Sequence, residues 1–157
     1  MDVLEVSIRS HGGKHPWQES VIRVNGTDLL ELVQRVEKPF AKLEGNPQMA
    51  GAYVGIPADM VFLPSRHLLD TPDDLLSDLV TSGEVSKPAL LMCECGEPGC
   101  WPFCARVAVL ADVVWWSDFE QPHRTGGDPG WRYDDLGPFI FDRTQYEAAL
   151  TRPITPP

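Results

Sequence analysis

The chain has 157 residues, of which 43% are hydrophobic and 23% charged, and its formal net charge is -10. This length fits one domain with a core large enough to stand without staples, and the composition is too apolar for wholesale disorder. The acidic balance argues against nucleic acid, whose phosphates need Lys and Arg to displace counterions, and against anionic lipid, while it permits a basic protein partner.

MDVLEVSIRSH lacks a basic stretch followed by an apolar one, and no apolar run approaches the roughly 20 residues of a membrane span. The expectation is a cytoplasmic protein. In that reducing setting, clustered cysteines point to metal or catalysis before structural disulfides.

Leu4, Val6 and Ile8 alternate with Glu5, Ser7 and Arg9, which predicts a first strand. After the turn-like HGGKHPW, SVIRV reads as a second strand, broken by Asn25-Gly26. Thr27 is placed to cap a helix whose apolar face is Leu29, Leu32, Val33 and Val36, with Lys38-Pro39 ending it. Residues 40–69 are rich in turn formers, with MVFLP as a short strand. Thr71-Pro72-Asp73-Asp74 opens another helix, with Leu75, Leu76, Leu79 and Val80 inward and Ser82-Gly83 as its stop.

From Pro88 the pattern is a meander. ALLMCEC runs into a cysteine loop, FCARVAVL leaves it, and Ala111-Asp112 reverses the chain into VVWWSDFEQ. Strict alternation puts Val113, Trp115 and Phe119 on one face, and Val114, Trp116, Asp118 and Glu120 on the other. FIFD is a last strand and TQYEAAL a closing helix with Thr144 and Glu147 as a capping box. The expected fold class is α+β: a single domain over 1–151, mainly antiparallel sheet with two to three helices and a Cys-rich knuckle between two strands. A Pro-rich tail covers 152–157.

All four cysteines lie in CECGEPGCWPFC, spaced C-x-C-x4-C-x3-C. Zinc takes a tetrahedron of soft thiolates, and a loop with Gly96, Pro98 and Gly99 can fold around one ion. The expectation is structural zinc held by Cys93, Cys95, Cys100 and Cys104, with His123 as the alternative fourth ligand. Unligated thiols with Cys93 and Cys104 buried, a Cys95–Cys100 disulfide, and a redox centre compete with it. Glu94 and Glu97 flank the loop and raise thiol pKa values, which counts against a nucleophile. Catalytic zinc ranks last, since four thiolates leave no open position.

The first three cysteines resemble the C-x-C-x4-C zinc segment that follows the catalytic domain of many histone-lysine methyltransferases, where the fourth ligand comes from elsewhere in the fold. Only that metal logic carries over, because nothing else in the chain resembles those enzymes. A broader resemblance rests on CECGEPGCWPFCARV, VVWWSDFEQPHR and LGPFIFDRTQYEAAL, with NGTDLLELV and AGAYVG in the first half. These segments resemble a widespread family of small bacterial proteins, common in actinobacteria and without an assigned function. In that family the C-x-C-G-x-x-G-C core recurs and the position of Cys104 is often apolar. The resemblance therefore implies three cysteines with an outside ligand, or no metal.

Ser117, Asp118 and His123 invite a hydrolase reading, but no nucleophile elbow accompanies them. Asp118 and Glu120 share a strand face, as an acid–base pair or simply as a solvated surface. His11 and His15 suit an exposed turn, and His67 the edge of a helix. Trp115 and Phe119 read as core. Trp116 reads as an exposed aromatic which, with Asp118, Glu120 and Trp131, forms a surface for a protein or peptide, a basic one included. The leading functional expectation is a non-enzymatic binding or accessory module. The alternative is a small enzyme or a redox or biosynthetic accessory protein using His123 with Asp118, or the cysteines.

Overall fold

The computed structural model describes residues 1–10, 17–69, 87–95, 100–127 and 130–152. The helix expected over 71–83, the histidines His11 and His15, loop residues 96–99 and the tail from 153 lie outside them. Among the described residues, two antiparallel sheets and three α-helices give an α+β fold. The first sheet has the order β1 (Leu4–Ser10), β2 (Gln18–Val24), β3 (Thr27–Asp28). The second is β4 (Val54–Gly55), β5 (Ala89–Met92), β6 (Phe103–Val109), β7 (Val113–Glu120) and β8 (Phe139–Asp142), in that spatial order. The cysteine loop joins β5 to β6, so the knuckle lies between two antiparallel neighbours as the sequence predicts.

Asn25 and Gly26, both at positive φ, make the tight turn between β2 and β3. Such two-residue turns match the twist of the flanking strands. Helix α1 (Leu29–Leu43) follows directly. Thr27 is not its cap: it pairs with Val24 in the sheet, and Asp28 occupies the cap position without a side-chain capping bond, its carboxylate pairing instead with Arg23 at 3.1 Å. Nor does Pro39 end the helix. Pro39 lacks the N–H that would bond the carbonyl four residues back, yet α1 continues because Glu37 and Ala41 are buried and fix the turns on both sides of it.

The sheets meet where Ser20 donates its backbone N–H to the Ile56 carbonyl at 2.9 Å and Gly55 donates its N–H to Glu19 Oε1 at 2.6 Å. MVFLP, expected as a strand, instead forms the end of the short helix α2 (Ala58–Val61) and the bend after it. Helix α3 (Arg143–Ala149) is capped two residues earlier than the sequence suggests: Asp142 accepts the Gln145 N–H at 3.0 Å, displacing the Thr144 capping box.

One local departure rearranges the faces of β7. Cys104 pairs with Glu120 and Arg106 with Ser117, so the single residue Ala105 opposes both Asp118 and Phe119. This is a β-bulge, and Asp118 takes the left-handed conformation at φ 50° that such bulges place at their first residue. Val114 and Trp116 point inward before the bulge, and Phe119 after it. One core runs beneath both sheets, from Leu4 through Leu29, Val33 and Phe103 to Tyr146 and Leu150.

Candidate metal centre and the adjoining cleft

β5 ends at Met92, which delivers Cys93 to the mouth of the loop, and Cys100 stands three residues before β6. The Sγ atoms of Cys93, Cys95 and Cys100 lie within 4.8 Å of one another. Three sulfurs held tetrahedrally about 2.3 Å from one ion would sit about 3.8 Å apart, within the bound this group meets. The Cys95 backbone N–H points at Cys93 Sγ at 3.5 Å. The three cysteines are thus positioned to coordinate one metal ion. The Cys100 thiol is pushed up to about 11, chiefly by its hydrogen bonds to Cys93 and Cys95. A bound divalent ion inverts that preference.

Neither expected fourth ligand joins the cluster. Cys104 is buried in β6, opposite Ala89 on one side and Glu120 on the other. Its strand neighbours Phe103 and Ala105 belong to the core, so alternation turns Cys104 to the other face of β6, where burial, reinforced by Glu120, pushes its thiol up to about 11. His123 instead stacks on Trp101, with ring centroids 5.9 Å apart and planes 4° from parallel. It stands beside the knuckle without entering it. Arg124 lies over the same indole, 4.8 Å from its centroid, and the edge of Trp131 meets Trp101 at 6.0 Å. The residue that follows Cys100 is therefore the centre of a cation–aromatic stack.

The aromatic surface expected from alternation is corrected. Trp116 is 0% exposed and donates its indole N–H to the Tyr146 hydroxyl at 3.0 Å. Trp131 is 1% exposed, whereas Trp115, expected in the core, is 41% exposed. The bulge is the reason: an inserted residue exchanges the two faces of a strand between its halves. Trp116 and Phe119 both point inward, and unbroken alternation cannot place them together.

A cleft of about 520 Å³ opens beside the second half of β7. Asp118, Glu120 and the flank of Trp131, three of the four residues expected to bind a partner, line it, together with Phe119, Tyr133 and Lys87. Glu120 pairs with Lys87 at 3.4 Å, and Asp118 faces Arg106 at 3.9 Å. Ser117 also lines the cleft, and His123 does not.

Helix α1 holds the wall of this cleft through two carboxylates, a role the sequence reading missed. Fully buried Glu37 accepts hydrogen bonds from Tyr53 Oη at 2.6 Å, Tyr133 Oη at 2.5 Å and the Gly51 N–H at 2.8 Å. Burial raises its carboxyl above the ordinary range although all three donors oppose the shift. Seven residues on, Glu44 accepts from the Trp131 indole at 3.0 Å and pairs with Arg124 at 3.2 Å. A signal existed: Glu37 falls four residues after Val33 and four before Ala41, inside the buried stripe.

Among the described residues, no helix is long and apolar enough to cross a membrane. No protein-family model matches the chain, and no curated protein or solved structure is significantly similar to it.

Proposed function

We propose that the chain is a small non-enzymatic module of a reducing compartment, the cytoplasm, tied by a zinc knuckle at Cys93, Cys95 and Cys100. The observation that carries this reading is the mutual approach of three sulfurs within 4.8 Å across a loop that joins two paired strands. Thiolates select soft or borderline ions, and zinc is the redox-inert member of that group. Metal would fix β5 against β6 at the end where their pairing stops. The cleft beside β7 is the binding site of the module, and its partner is a peptide with a basic side chain. Asp118, Glu120 and Asp134 outnumber Lys87 and Arg132 there, and the chain as a whole is acidic.

Metal analysis of protein purified without added zinc tests the knuckle. The expected result is one zinc per chain that survives dialysis, lost in Cys95→Ser with a lower melting temperature and retained in Cys104→Ser. Metal-free protein whose melting temperature ignores thiol alkylation would end this reading. For the cleft, Arg-containing peptides should perturb the Trp131 indole N–H resonance of the wild type, and Asp134→Lys should abolish the effect. Perturbations confined to residues remote from the cleft would place the partner elsewhere.

A further inference from the structure

We infer that the knuckle keeps one coordination position open to a neutral donor from outside the chain: water at rest, and an imidazole, such as a partner's histidine, when one is offered. This rests on the metal reading above. Three observations carry it. First, the cluster has three ligands where zinc takes four. The two residues that the sequence offers as a fourth ligand are engaged elsewhere: Cys104 of β6 pairs opposite Glu120 of β7, and His123 stacks on Trp101. Among the described residues, no other His, Cys, Asp or Glu brings a ligand atom into the group.

Second, Cys95 and Cys100 are exposed, so the ion would face solvent rather than the core. Closed structural sites surround the ion with protein ligands; a site with three protein ligands and a solvent-facing fourth position exchanges that fourth ligand. Third, charge selects the donor. Three thiolates on a divalent ion leave one negative charge, and exposed Glu94 stands between two of the ligands in a chain of net charge -10. A fourth thiolate or a carboxylate would add a second charge at that point, whereas imidazole or water adds none. Imidazole is the stronger donor of the two toward zinc.

Cobalt(II) titrated into the metal-free full-length protein reads the coordination directly, since its visible ligand-field bands report ligand number and type. The expected result is a thiolate-bound cobalt spectrum that shifts saturably when imidazole is added, with one imidazole per cobalt. Cys104→Ala, His123→Ala and Glu97→Gln should each give the same spectrum and the same shift. A band indifferent to imidazole, or one altered by any of these substitutions, overturns the open position by assigning the fourth ligand to the chain. Loss of the sulfur-to-cobalt charge-transfer band on adding imidazole also overturns it, because the thiolates would then have been displaced. Absence of any cobalt spectrum fails the metal reading itself, an outcome distinct from the others.

Discussion

The Trp116 indole donates to the Tyr146 hydroxyl at 3.0 Å, and the same hydroxyl donates to the Leu68 carbonyl at 2.5 Å, joining β7, α3 and the segment after α2 in the core. Trp116→Ala should therefore lower the urea midpoint by an amount equivalent to roughly 3–5 kcal/mol, the usual cost of emptying a large aromatic site. Tyr146→Phe keeps the ring and strands two buried polar groups, so about 1–3 kcal/mol is expected. An unchanged midpoint for Trp116→Ala would remove this tryptophan from the core.

Glu37 should make stability depend on acid in an unusual direction. Its carboxyl is raised by burial, so the native chain holds this proton more firmly than the unfolded chain does. Such a group contributes stability below its unfolded value and loses it as pH rises through the native one. The wild type should therefore gain on Glu37→Gln as pH falls from neutral, with the difference levelling off below the ordinary 4.5. Denaturation midpoints of the pair, measured across that window, check the sign. A difference moving the other way would mean that the two tyrosines outweigh burial.

Asp118 occupies the left-handed region at φ 50°. Asp118→Gly should fold with unchanged or slightly higher stability, and Asp118→Val should lose about 1–2 kcal/mol, because a branched side chain resists that conformation. The Arg106 partner at 3.9 Å is exposed and contributes little to this comparison. Equal denaturation midpoints for the two variants would show that β7 is regular at this point.

At Gly55 a β-carbon would meet the Ser20 carbonyl oxygen at 1.8 Å. Backbone must move to admit it, and the Gly55 N–H bond to Glu19 moves with it. Gly55→Ala is expected to cost at least the 1–3 kcal/mol typical of overpacking. Amide exchange should rise on both β2 and β4. Protection equal to wild type would uncouple the two sheets.

Much of this fold is legible in the sequence because its elements obey simple periods. The alternation of Leu4, Val6 and Ile8, the Asn25-Gly26 turn and the meander around the knuckle all appear in place. Legibility fails where a long-range contact overrides a local rule. Pro39 stops a helix only if nothing holds the turns around it, and buried Glu37 and Ala41 do. Trp115 and Trp116 exchange faces because one residue, Asp118, is inserted opposite Ala105, 13 positions away. The three thiols that cluster are the ones the spacing groups most tightly. The sequence already places Cys104 on the outgoing strand; that its thiol stays out of the cluster shows only once the strand is paired with Glu120 opposite it. The carboxylates of α1 that hold Tyr133 and Trp131 act across 96 and 87 positions, beyond the reach of any local pattern.

Trp101 follows Cys100 in the chain and has His123 stacked on its ring and Arg124 over it. Histidine and arginine alter indole emission by proton and charge, so any tightening at Cys100 is transmitted to a fluorophore one peptide bond away. Among the five tryptophans of the chain, this indole is the one next to a cysteine of the knuckle, so a change in total emission on adding zinc that is lost in Trp101→Phe would report an ion settling there.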